Sequence, residues 1–297
     1  DSCLRLTATN YIFRSIQSRL QLIGPFEKSL INNDVDLVYF VTQGMSSLYL
    51  QRLNYISTVW DTCHRDLPEF PEVREYNKFI GREYIFNNSL TQALVVLVDS
   101  SQGIDRVSSL YGVDKNRIIE LPFSASPFIN SKVSSATEVL SDFGLEKGYY
   151  LYPAQFWPHK NHVRILQALE ILNSEGIRKE AVFVGGNKGN ESYLRKLVDE
   201  LGLKSQVHFL GFVDVKKIKG LYEGCGAVVM PTYFGPTNLP PLEAWSLKRP
   251  LIYSAHLCGQ TKGAAVLADP DCALSLANAM KHVEIGACAS EVVQRGV

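Results

Sequence analysis

Two loop segments hold the residues best suited to chemistry. In Pro231 to Pro250, PTYFGPTNLPPLEAWSLKRP, an apolar strand ends at Met230, a turn-rich loop follows, and Pro240-Pro241 open a helix. Proline suits the first helical positions because its missing N–H would be unpaired there anyway. Asn238 just ahead is a candidate cap. Such a helix start offers free N–H groups and partial positive charge, a seat for a diphosphate or a sugar hydroxyl. Glu243, one turn in, either complements the helix dipole or accepts two bonds from a ribose diol beside that seat. In Tyr150 to Val163, YLYPAQFWPHKNHV, a strand ends at Pro153 and the cluster Gln155, His159, Lys160, Asn161 and His162 precedes a helix. Lys160 is a point charge that could neutralise a leaving diphosphate, or a solvated surface lysine. A third loop, Val184-Gly185-Gly186-Asn187, carries two glycines that let a ligand approach the backbone closely; alone it says little.

These loops need strands to deliver them and helices to receive them. Apolar runs at Asp36–Val41, Tyr55–Val59, Leu94–Val98 and Arg117–Leu121 read as buried parallel strands, with helical spacing over Glu75–Gln92 and Ser101–Tyr111. Ser124–Thr137, SASPFINSKVSSAT, has no sustained apolar period and reads as a linker, or as a long surface loop. Strands are then predicted at Gly148–Pro153, Ala181–Val184, Val207–Leu210, Ala227–Met230 and Pro250–Tyr253. Helices are predicted at Asn161–Asn173, Ser192–Leu201, Val215–Tyr222, Pro240–Leu247 and Ala273–Val283. The alternation implies an α/β protein of two Rossmann-like, doubly wound parallel-sheet domains facing a cleft, residues 1–128 and 129–297. Ligands of such sheets bind beyond the carboxyl ends of the strands, where all three loops lie.

Composition narrows the function class. The 297 residues include 30 basic and 30 acidic side chains, a balance that speaks against a dedicated nucleic-acid binder. No apolar run approaches a membrane span, and the longest, Ala93–Val98, suits a buried strand. The 6 cysteines are scattered without a C-x-x-C pair, which points to a reducing, cytoplasmic compartment and away from zinc ribbons or a disulfide framework. The first residues do not read as a signal peptide, and the chain starts without Met. Asn10–Ile23 spaces Ile12, Ile16, Leu20 and Ile23 as one helical face with Arg14 and Arg19 among them. It suits either packing on the first sheet or a peripheral membrane contact.

The strings YPAQFWPHKNH, FVGG, VHFLGFV and NLPPLEAW, in that order and spacing, resemble the donor domain of family-4 retaining glycosyltransferases of the GT-B fold, over about Tyr149 to Asp271. Thr58–Tyr76, TVWDTCHRDLPEFPEVREY, followed by VDSSQG and LPF, resembles the acceptor domain of bacterial polysaccharide-building members, whose acceptors are saccharides or lipid-linked saccharides. The resemblance implies transfer of a sugar from a nucleoside-diphosphate sugar with retention at the anomeric carbon, without metal or other cofactor. It assigns Lys160 to the donor diphosphate, Glu243 to the ribose, and Asn238 and Leu239 to a loop meeting sugar and phosphate. Phe209, Gly211 and Phe212 would border the nucleobase, while Gly185 and Gly186 match the family's glycine pair and Gln155 and Asn161 fall in the same donor site.

Three positions depart from the family. Gly235 stands where the first glutamate of E-x7-E belongs, and Thr237 or Asn238 could supply substitute hydrogen bonds. Gln155 replaces an arginine, removing one charge from the diphosphate site. The acceptor-side His-Asp pair reads Trp60-Asp61, leaving His64 as a candidate for that role or as a structural histidine. The Gly-rich loop expected after the first strand is not visible, and the stretch before Asp36 is short for a complete amino-terminal domain. A competing reading is a sugar-nucleotide-binding protein of the same fold that has lost catalysis.

Overall fold

The computed structural model describes residues 23–130, 135–235 and 237–284. The chain groups into two compact units, Asp1–Glu69 with Val73–Pro122, and Phe70–Glu72 with Phe123–Val297. No helix among the described residues is long and apolar enough to cross a membrane. The Asn10–Ile23 face lies, apart from Ile23, outside the described residues.

In the first unit, strands β1 (Leu37–Phe40), β2 (Asn54–Val59), β3 (Val95–Val98) and β4 (Ile118–Glu120) form a parallel sheet in that order among the described residues. Helices α1 (Pro25–Asn32), α2 (Lys78–Ser89) and α3 (Ser101–Tyr111) accompany it. The Ser100 side chain caps α3 by accepting the Gly103 N–H, and Gly112 ends it in the left-handed region. Phe86, Leu90, Val107 and Tyr111 from α2, α3 and their flanks meet Tyr55, Val96 and Val98 in one core.

The second unit begins with α4 (Ala136–Phe143) and β5 (Tyr150–Pro153), then α5 (His162–Ser174), β6 (Ala181–Val184), α6 (Glu191–Glu200) and β7 (Val207–Gly211). It continues through α7 (Val215–Gly224), β8 (Ala227–Met230), α8 (Leu239–Ser246), β9 (Leu251–Ser254), β10 (Val266–Ala268) and α9 (Ala273–Glu284). Its parallel sheet has the order β10-β9-β8-β5-β6-β7 among the described residues. The chain runs outward from β5 in one direction and returns to start again at β8. The topological switch point therefore lies between β5 and β8, and the loops after these two strands are where an open α/β sheet takes a ligand.

The observed elements follow the expected alternation, with three differences. The helix expected over Glu75–Gln92 is interrupted, because Tyr76 and Asn77 adopt left-handed backbone (φ 55° and 59°), so α2 starts at Lys78. The described residues of the stretch expected as a linker, 124–130 and 135–137, group with the second unit. The Phe128 ring packs 6.4 Å from that of Tyr222, and the second unit starts at Phe123 rather than at residue 129. Its Ser135 also serves α4, whose first turn is a reciprocal capping box between Ser135 and Glu138. Finally, α1, α4 and the three-residue edge strand β10 had no counterpart in the sequence reading.

Candidate donor site at the switch point

The loop after β5 turns through a short 3-10 helix, Pro158–Lys160, and enters α5 through Asn161, which is left-handed at φ 56°. The loop after β8 runs to Asn238 and into α8. The two are laced at close range. The His159 carbonyl accepts the Tyr233 N–H at 2.9 Å and the Thr232 hydroxyl at 3.4 Å. Asn161 donates both amide hydrogens, to the carbonyls of Pro231 (3.1 Å) and Pro270 (2.9 Å). A buried asparagine so engaged is a structural pin.

This lacing brings Lys160 to the start of α8, where its Nζ donates to Asn238 Oδ1 at 3.2 Å. Asn238 stands at the helix-capping position, yet its side chain makes no capping bond. Its amide instead donates to the Tyr253 hydroxyl (2.7 Å) and the Gly235 carbonyl (3.2 Å), which corrects the expected cap. The helix start is also poorer in donors than expected. Pro240 and Pro241 have no N–H, so Leu239 is the one residue of the first three helical positions that has one. Its side chain is exposed.

Gly235 has φ 134°, a conformation L side chains rarely adopt, and a Cβ there would lie 2.5 Å from the Asn238 amide nitrogen. The position of the missing glutamate is thus filled sterically by Asn238, the residue that also meets Lys160. Thr237 is half-buried beside it.

Glu243 is buried on the inner side of α8, with its carboxylate already occupied. One oxygen accepts from Ser126 and the other from the Tyr222 hydroxyl at 2.5 Å. Burial, and the carboxylate beside it, push the Tyr222 phenol well above its ordinary pKa, so it stays a donor. Each Glu243 oxygen still keeps a second lone pair for a further donor.

The glycine pair divides. A Cβ on Gly185 would meet the Ala154 carbonyl oxygen at 2.3 Å, so this glycine serves backbone packing and not a ligand. Gly186 has open space around it. Gln155 is exposed, accepting from the Trp157 indole N–H at 2.9 Å. Phe209 is half-buried under the Arg195 guanidinium, 4.4 Å away. Gly211 is left-handed at φ 64°, and Phe212 beyond it is 87% exposed, an aromatic face turned to solvent at a strand end.

His64 is in the first unit, where it is 1% exposed and wedged between the rings of Phe79 and Phe86. Its Nε2 meets Glu83 at 2.7 Å, and burial lowers its pKa. This corrects its candidacy as a catalytic group, because a ring packed on both sides and tied to a carboxylate is a core element. Among the described residues no three His, Cys, Asp or Glu side chains are grouped to hold a metal ion.

Sequence reasoning missed Ser126, Tyr222, Tyr253 and Glu72. The last accepts from His159 and is taken up below. None carries a local signal, since Ser126 and Glu72 meet partners 117 and 87 residues away.

Residues 141–264 match the family described as glycosyl transferases group 1. O-antigen chain mannosyltransferase B of Escherichia coli is 26% identical over 217 residues, 71% of this chain and 57% of that protein. O-antigen chain mannosyltransferase RfbU of Salmonella typhimurium is 26% identical over 216 residues, 70% of this chain and again 57% of the relative. The match thus spans little over half the length of these relatives. Anabaena HepE, solved in complex with UDP and glucose, superposes with a TM-score of 0.72 at 17% identity, over 93% of this chain and 78% of that one. Over residues 141–264 the second unit is thus similar to the glycosyl transferases group 1, and the two parallel-sheet units give the chain the GT-B fold.

Proposed function

We propose that the chain is a retaining glycosyltransferase of family-4 type. It moves a sugar from a nucleoside-diphosphate sugar to a saccharide or lipid-linked saccharide in surface polysaccharide synthesis. The observation that carries this reading is the meeting of Lys160 with Asn238 at the start of α8, at the switch point of the sheet. A lysine ammonium beside a helix N-terminus places positive potential where a departing diphosphate gains negative charge. In a same-face reaction the leaving phosphate oxygen itself takes the acceptor proton. The protein then needs electrostatic stabilisation and positioning more than a strong base, and no metal.

The remaining groups fall into place around that seat. The Leu239 N–H meets a phosphate or sugar oxygen, and Glu243 takes ribose hydroxyls through its remaining lone pairs or by displacing Ser126. Phe212, with Gly211 and the edge of Phe209, offers the nucleobase an apolar border. The UDP bound to Anabaena HepE and the O-antigen chemistry of the Escherichia coli relative support this class of donor and product.

A thermal-shift panel of UDP, GDP, dTDP, ADP and CMP, with and without EDTA, tests the reading. One nucleotide is expected to raise the melting temperature regardless of EDTA, by the equivalent of about 2.7 kcal/mol at 100 times its dissociation constant. Lys160→Ala is expected to shrink the shift without abolishing it and to lower turnover about 10²–10³-fold, the scale of removing one preorganised donor. No shift with any nucleotide overturns the proposal, while a shift without sugar transfer or donor hydrolysis reduces it to binding alone.

A further inference from the structure

We infer that Glu72 is a positioning residue for the turn that presents Lys160, acting through His159; the inference rests on the donor-site reading above. Glu72 lies in the short helical turn Pro71–Arg74, on a stretch of chain otherwise devoted to the first unit. With Phe70 and Pro71 it nevertheless groups with the second unit. One of its carboxylate oxygens accepts from both the His159 backbone N–H, at 3.1 Å, and the His159 Nδ1. Its side chain is only 8% exposed, and its other oxygen is buried without a hydrogen-bond partner among the described residues.

A glutamate so deeply placed costs several kcal/mol unless a partner compensates it, so this one is held where it is by what it binds. Burial would raise its pKa, but the hydrogen bonds from His159 outweigh burial and hold the carboxyl below its ordinary value. The residue it grips is the one before Lys160. The His159 ring lies flat on Phe234 (centroids 3.8 Å apart, planes 13° apart) with Phe70 against it at 6.2 Å. Its carbonyl receives Tyr233 and Thr232 from the loop after β8. His159 is therefore fixed at its amide, ring nitrogen, ring face and carbonyl. The amide and ring-nitrogen contacts come from Glu72, outside the strand-end loops.

Lysine is a flexible point charge, and only a fixed backbone makes it a preorganised one. Glu72 supplies that by holding the 3-10 turn at His159, while Asn238 meets Lys160 at Nζ. It touches no reacting atom. Its effect on donor binding must run entirely through Lys160.

Titration calorimetry with UDP and GDP on wild type, Glu72→Ala, Glu72→Gln, Lys160→Ala and the Glu72→Ala/Lys160→Ala double variant tests this, with melting temperatures recorded in parallel. Glu72→Ala is expected to weaken the nucleotide that binds about tenfold, yet to add nothing once Lys160 is alanine, the non-additivity of coupled sites. Glu72→Gln, whose amide oxygen still accepts both His159 donors, is expected to stay within about threefold of wild type. Full affinity in Glu72→Ala, or the same loss with and without Lys160, overturns the inference in favour of a merely structural glutamate. Should Glu72→Ala not fold, His159→Ala cuts the same link from the other side, and the same non-additivity with Lys160→Ala is required. Wild-type affinity in Lys160→Ala, or no binding of either nucleotide to wild type, instead removes the donor reading and this inference with it.

Discussion

In the six-stranded sheet, every residue of β6, β8 and β9 is buried, so both faces of the inner strands are covered. The four-stranded sheet is finished on one side. Its register sets Tyr39, Ile56 and Val95 in one row and Thr58, Leu97 and Ile119 in the next, all on one face. On that face Leu37, Tyr39 and Ile119 are between 46% and 50% exposed. On the other face Tyr55, Val96, Val98 and Ile118 are buried, and α1, α2 and α3 all send side chains into that same core. Parallel sheets are ordinarily covered on both faces, so the described part of the first unit is a sheet with half its cover.

The strand ends differ as well. After β2, polar groups are tied to one another through side chains, with Glu83 holding Arg65, Tyr111 and His64. Burial would raise the Glu83 pKa, but these three donors bring it down to about 2. After β5, β6 and β8 the loops are laced largely through backbone, as in Phe156 N–H to Gly186 and Tyr233 N–H to His159. Backbone lacing leaves side chains such as Gln155 and Leu239 exposed, whereas side-chain ties consume the groups that could meet a ligand.

The largest effect tests the sheets. Val182→Lys in β6, at 0% exposure, is expected to cost about 4 kcal/mol or more by burying an unpaired charge. Leu37→Lys, on the open face of edge strand β1, is expected to cost less than about 1 kcal/mol, since lysine is at home on sheet edges. Urea midpoints decide it. A Leu37→Lys cost near that of Val182→Lys would mean that residues outside the described ones cover the face, and the contrast between the sheets would vanish.

Each unit also buries a histidine, and these predict acid sensitivity. His162 lies among Tyr152, Phe156 and Phe183 with neither ring nitrogen hydrogen-bonded among the described residues. Burial lowers its pKa to about 3. His64 is lowered by burial too, against the pull of Glu83. Both keep the neutral form to lower pH when folded, while the unfolded chain takes up their protons below about pH 6.5. Their contribution is therefore complete above that pH and is lost as pH falls, for His162 down to about 3. The loss should approach about 1.4 kcal/mol per pH unit for each neutral histidine. Histidines of ordinary pKa titrate more than carboxylates do between pH 6 and 5, so this window weights the slope toward the histidines. His162→Phe, an apolar ring among rings, is expected to remove one proton's share of the slope, measured from urea midpoints at pH 5, 6 and 7.5. An unchanged slope would assign the acid loss to other groups.

Much of this architecture was legible. Runs such as LVVLV and AVVM read as strands, and their alternation with helical spacing gave the two sheets. Tyr76 and Asn77 were not legible, because a left-handed break in a helix is ordinarily signalled by glycine and neither residue is one. The serines of Ser124–Thr137 look like linker composition, yet Ser135 caps a helix and Ser126 is a partner for Glu243. At the site, Lys160, Asn238 and Glu243 could be found as chemical types at strand ends. Their partners could not, since Tyr222, Ser126 and Glu72 reach them only through the fold.

The glycine pair after β6 offers the smallest and cleanest test of backbone lacing. Seen as sequence, Gly185 and Gly186 are interchangeable, and both could be thought to admit a ligand. In the fold they are opposites. Gly185 lies so close to the loop after β5 that a methyl group would meet the Ala154 carbonyl oxygen at 2.3 Å, and a backbone carbonyl has no rotamer by which to yield. Gly185→Ala must therefore push the two strand ends apart, at about 1–3 kcal/mol of overpacking. Because the displaced loop leads to Lys160, nucleotide affinity should fall with stability. Gly186→Ala meets nothing within 4 Å and should stay within about 0.5 kcal/mol of wild type. If a ligand does approach the backbone here, it approaches at Gly186, so this second variant would lose affinity without losing stability. Equal stability losses in the two variants would show that the strand ends can slide, and that backbone lacing is not what holds the loop of Lys160 in place.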